Sequence, residues 1–165
     1  MKPFIRVLSI LLMLALLLPL VPPAEASSAS TVNVMSYNLK NTNYNFGGVS
    51  SMVTDYGADI VGMQEVNSLQ FLGMNAAMKL AGYDCTLGKS SGTDSLSSSD
   101  EYLPIYFKSS KYSEFSHGTL WLSDTPTEKS KYSDSNYYRI VTWAVMRYWA
   151  PMIIFWCLIP TWISA

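Results

Sequence analysis

Two short apolar segments set the limits on what this chain folds into. Thr31–Tyr37 (TVNVMSY) and Ala58–Met63 (ADIVGM) both read as strands. The first runs into the polar cluster Asn38–Asn45 and the second into Gln64-Glu65. Between them, after Gly47-Gly48, the residues Val49, Met52, Val53 and Tyr56 recur at helical spacing, with Gly57 a natural stop. Strand, helix, strand is the unit of an α/β fold, and it brings two strand ends to one edge of a sheet. Further on, Ser68 is a candidate cap for a second helix with the apolar face Leu69, Leu72, Ala76, Ala77 and Leu80, closed by Gly82. Residues 88–100 form a serine-rich loop pattern. Three more strands are expected at Tyr102–Phe107, Thr119–Leu122 and Arg139–Arg147, the last with Val141, Trp143 and Val145 on one face. Between these, Ser123–Pro126 is a turn signature and Glu128–Asn136 a polar loop.

The ends of the chain are far more apolar than its middle. Lys2 and Arg6 precede an apolar run, Val7–Val21, which Pro22-Pro23 breaks before the small-x-small pattern Ala24-Glu25-Ala26. Residues 1–26 therefore read as a cleaved signal peptide, because the run falls short of the roughly 20 residues that span a bilayer. The expected location is extracellular. The 165 residues allow one domain, and a net charge of −1 gives no basic field for holding a polyanion. No stable nucleic-acid partner is expected, although a metal-bearing enzyme acting on phosphates is not excluded. Export permits disulfides, but of the two cysteines Cys157 lies in an anomalous segment, so Cys85 reads as a small buried side chain.

Asn38 and Glu65 carry the chemical signal, since both sit just past the end of an expected buried strand. A carboxylate with an amide beside it suits a hard divalent cation and a phosphate oxygen. Spacing alone leaves open a solvated or capping glutamate. The motifs go further. Met35-Ser36-Tyr37-Asn38-Leu39 and Asp59-Ile60-Val61-Gly62-Met63-Gln64-Glu65-Val66 resemble the opening motifs of the endonuclease/exonuclease/phosphatase superfamily, the DNase I-like metal-dependent phosphoesterases. Glu101-Tyr102-Leu103-Pro104-Ile105 is similar to its E-Y-x-P-I strand, Gly118–Pro126 to its G-T-x-W-L-S-x-T-P segment, and Arg139–Ala144 to its R-x-x-T-W-A strand. The matches run over residues 32–147, and residues 27–147 resemble the N-terminal half of such a domain. It implies an α/β fold, here an incomplete DNase I-like β-sandwich flanked by helices. It also implies Mg2+ (or Mn2+) held by Glu65, with Asn38 as the amide near the metal and the scissile phosphate. Glu101, Tyr102 and Arg139 lie in matching motifs, with substrate contact and strand packing both open. His117 lies outside the family's histidine motif and reads as a surface or strand-end residue.

The family's N-T-H-L-D strand, its G-D-F-N segment and its final acidic-histidine pair have no counterpart here. Residues 148–165 instead form an apolar tail without a charged residue. Back-translated and read one base earlier, codons 152–163 permit Asp-Tyr-Phe-Leu-Val-Phe-Asn-Thr-His-Leu-Asp, with both aspartates, the leucine after phenylalanine and the valine forced. The expectation is a frameshift near the codons for Arg147–Ala150. The chain then reads as a truncated, inactive copy of a secreted phosphoesterase of nuclease or phosphatase type, its phosphoester substrate class unread. The alternative is a non-catalytic secreted protein, or one tethered to a membrane by the tail.

Overall fold

The computed structural model describes residues 31–91, 101–149 and 154–160, the last stretch in backbone only. The expected signal peptide, most of the serine-rich loop and residues 150–153 and 161–165 of the apolar tail lie outside these residues. The chain divides after Thr31, and the following concerns the unit from Val32 onward.

Strand β1 (Val34–Asn38) runs parallel to β2 (Ile60–Gln64), in register from Val34↔Ile60 to Asn38↔Gln64. The crossover between them is α1 (Phe46–Asp55), capped by the Asn45 side chain, which accepts the Gly48 N–H. The chain then forms the two-residue strand β3 (Val66–Asn67), helix α2 (Ser68–Leu80) and strand β4 (Tyr83–Thr86). Next come β5 (Glu101–Tyr102) and β6 (Ile105–Lys108). The long strands β7 (Tyr112–Trp121) and β8 (Ile140–Tyr148) precede β9 (Ile154–Pro160). One sheet has the order β1-β2-β6-β4, another is the meander β7-β8-β9, and β3 pairs with β5 in a short ribbon.

Every residue of β2 is buried, as expected of a strand covered on both faces. Val61 and Met63 join Val49 and Val53 of α1 and Met74 and Met78 of α2 in one apolar cluster. Ile60 faces the other way, with Ile105, Phe107, Tyr112, Trp121, Ile140, Ala144 and Met146, so the second cluster joins the two larger sheets. This layering of helices, sheet and sheet is the expected α/β architecture.

Several expected details are corrected. The cap of α2 is Asn67, with Ser68 the first helical residue. Its buried line is Gln70, Met74 and Met78, whereas Leu69, Leu72 and Leu80 are exposed. The helix is rotated because Gln70 is anchored to backbone carbonyls, as described below. The single strand expected over Tyr102–Phe107 is two, in different sheets, since Pro104 lacks the N–H that a continuous ladder needs. In β8, Val141, Trp143 and Val145 do share one face, with Val145 buried and the other two half-buried, while Ile140, Thr142, Ala144 and Met146 form the fully buried face opposite. Cys85 is half-buried, and burial pushes its thiol up to about 12. Part of the apolar tail, β9, pairs with β8 along its length.

Gly82 ends α2 at φ +86°, its N–H bonded to the Lys79 carbonyl. A side chain there meets no neighbour but must adopt the left-handed conformation. Gly82→Ala should therefore cost about 1 kcal/mol, read as a lower urea midpoint with an unchanged slope.

Candidate functional site

The parallel pairing of β1 and β2 places Asn38 opposite Gln64, and a Leu39 N–H to Gln64 O bond of 3.0 Å carries the ladder one step further. Glu65 is therefore the first residue beyond the paired strand ends. The Asn38 amide donates to Glu65 Oε1 at 2.7 Å, while Asn38 Oδ1 accepts the Lys40 N–H at 2.9 Å. With its oxygen occupied by that N–H, the amide can only present its NH2 group to the carboxylate.

Glu65 and Lys40 are the non-glycine residues with positive φ among those described, at +55° and +60°. This conformation costs an L-residue about 1–2 kcal/mol. Such strain persists where surrounding contacts over-determine it, and it clusters at functional sites.

Glu101 joins them through the ribbon, because Asn67↔Glu101 and Val66↔Tyr102 are paired directly after Glu65. Burial raises the proton affinity of the Glu101 carboxyl, the charge of Glu65 raises it further, and Arg139 opposes both. Glu101 Oε2 and Arg139 Nη1 are buried without a hydrogen-bond partner. Arg139 also stacks on the exposed Tyr137, 5.2 Å from the ring centre. Tyr102 is half-buried, its ring 6.0 Å from that of Phe71 on α2.

The structure thus gathers Asn38, Glu65, Glu101 and Arg139, with Tyr102 packed behind. His117 sits within β7, exposed, with Nδ1 2.6 Å from Glu114 Oε1. Glu114 also accepts the Thr86 hydroxyl proton, tying the β4 edge of one sheet to the β7 edge of the other. Sequence reasoning missed Lys40, Asn67 and Gln70, although the Asn67-x-x-Gln70 spacing ahead of an apolar run is a capping-box signature.

No group of three or more His, Cys, Asp or Glu side chains placed to hold a metal occurs among the described residues. The donors that are present nevertheless fit a hard cation. They are the carboxylate oxygens of Glu65 and Glu101, the latter held at raised proton affinity by burial and by Glu65, while the Asn38 NH2 group orients the former.

These features define a class. The described residues carry the DNase I-like fold of the endonuclease/exonuclease/phosphatase superfamily. One similar structure is an endonuclease/exonuclease/phosphatase family protein from Bacteroides thetaiotaomicron, at 27% identity and TM-score 0.69, covering 78% of this chain and 48% of that one. A mannosyl-6-phosphatase from the same species is 28% identical with TM-score 0.64, over 78% of this chain and 50% of its own. An endonuclease/exonuclease/phosphatase from Bacteroides vulgatus is 28% identical with TM-score 0.64, over 74% and 49%. The chain therefore spans about half the length of the solved structures that it matches. No family model and no curated protein matches the sequence.

Proposed function

We propose that this chain is a truncated copy of a secreted, Mg2+- or Mn2+-dependent phosphoesterase, without catalytic activity of its own. The observation that carries this reading is the Asn38–Glu65 contact at the ends of two parallel strands, with Glu101 and Arg139 beside it. In this reading Glu65 holds the cation, with Glu101 near it. A bound divalent ion would supply charge neutralisation at a non-bridging phosphate oxygen as water attacks. Asn38 donates to the same region, and its orientation is fixed before any ligand arrives. Arg139 offers a guanidinium N–H, otherwise without an acceptor, to a phosphate oxygen.

The inactivity in this reading rests on the family's histidine motif, which codons 152–163 permit only in the alternative frame. The alternative frame of codons 152–163 supports truncation by a lost base, because it permits a hydrophobic strand ending in Asn-Thr-His-Leu-Asp. The signal-peptide pattern of residues 1–26 supports secretion. No helix among the described residues is long and apolar enough to cross a membrane.

The test is hydrolysis of bis(p-nitrophenyl) phosphate, p-nitrophenyl phosphate and mannose 6-phosphate by the chain in Mg2+ or Mn2+. The sugar phosphate is included because one similar structure is a mannosyl-6-phosphatase. No turnover above a Glu65→Ala control is expected; turnover that Glu65→Ala abolishes would refute inactivity. Resequencing the gene beyond the Thr142 codon tests the frameshift, which fails if no family motif lies downstream in any frame.

A further inference from the structure

Gln70 is fully buried in the first turn of α2, far along the chain from Asn38, yet two of its four hydrogen bonds reach the Asn38 loop. Its Nε2 donates to Lys40 O and to Asn43 O, both at 2.8 Å. Its Oε1 accepts the Asn67 N–H at 3.1 Å, and its own N–H donates to Asn67 Oδ1 at 2.9 Å. The Asn67 amide adds a bond to Asn41 O at 3.3 Å. The carbonyls of Lys40, Asn41 and Asn43 in one loop are therefore tied to the start of one helix.

These bonds have a direction. Gln70 holds the Lys40 carbonyl, and that peptide geometry keeps Lys40 at positive φ with its N–H on Asn38 Oδ1. Asn38 Oδ1 is thereby occupied, and its NH2 is left to meet Glu65. A helix cap of this kind needs only the two bonds between Asn67 and Gln70. The two donated to the loop add nothing to the cap.

We propose that Gln70 is a positioning residue that sets the Asn38 amide, and through it the Glu65 carboxylate, for divalent-cation binding. This rests on the reading of Glu65 as the metal ligand.

The test is Mn2+ binding by the full chain, read from the electron paramagnetic resonance of the free ion. Melting is followed by circular dichroism on the same samples. In Gln70→Glu the Asn67 N–H keeps its acceptor, while the two loop carbonyls no longer share a two-proton donor. The added carboxylate would by itself attract a cation, so weaker binding can only report lost positioning. We expect Mn2+ affinity to fall by about 10-fold, measured well below the melting point. Gln70→Met is close in shape and buries no charge, and it gives up both loop carbonyls. It should also weaken Mn2+ by about 10-fold, and it carries the test should Gln70→Glu not fold. Wild-type affinity in the folded variants, with binding lost in Glu65→Gln, overturns the role of Gln70 and leaves the metal site standing. Undiminished binding in Glu65→Gln removes the metal site, and this inference with it.

Discussion

Glu65→Ala should lower divalent-cation affinity by at least about 100-fold, more than a change among the residues that merely support a ligand. The substitution removes the carboxylate, leaves the Asn38 amide without its acceptor, and keeps a side chain in a left-handed backbone. Glu65→Gly should lose binding equally but relieve the backbone. The glycine variant should then be more stable than the alanine variant by about 1 kcal/mol. Mn2+ titration and urea denaturation of the two variants separate the chemical from the conformational contribution. Equal stability of the pair would show that the positive φ carries no cost.

Just before β2, Asp59→Asn should produce a large loss of stability. The Asp59 side chain is 2% exposed and accepts from Lys111 at 2.8 Å, from Lys108 at 3.3 Å and from the Asn33 N–H at 3.1 Å. Burial pushes its carboxyl up, but Lys111, the Asn33 N–H and Lys108 together outweigh burial and hold it below the usual carboxylate range. Removing the charge should cost about 2 kcal/mol, less than a fully buried pair because both lysines keep access to water. A folded-state pKa below the unfolded value stabilises at pH above the unfolded value, and that stabilisation is lost as pH falls through the folded value. The difference between wild type and Asp59→Asn should therefore be full at pH 7 and shrink at acid pH. A pH-independent difference would assign the effect to packing instead.

What the sequence conveyed and what it hid divide along physical lines. Strands β1 and β2 and the crossover α1 were legible because strand runs and helical spacing alternate there without competition. The Asn38–Glu65 juxtaposition followed from that order. The orientation of α2 was not legible, because Leu69, Leu72 and Leu80 offer as good an apolar stripe as Met74 and Met78. A polar residue decided between them. Gln70 is buried because loop carbonyls from residues 40 and 43 need its amide, and periodicity arguments rank glutamine as outward-facing. The break at Pro104 was written in the chain, yet the apolar run around it reads as one strand until its halves are seen in separate sheets. Strand β9 was hidden for a different reason. A tail without polar alternation carries no signal of which face is covered.

The positive φ of Glu65 also bears on how such a sequence drifts over generations. Where catalysis is under selection, a glutamate is kept there against its backbone preference. Once that selection is lifted, folding alone favours glycine, or asparagine, at the same codon. A long-silent copy would accumulate those replacements at position 65 ahead of neighbouring buried positions, where the same drift is penalised. Allele counts at this codon in natural populations therefore report whether the carboxylate is under selection. Fixation of glutamate against the backbone preference is the pattern expected of a carboxylate in use.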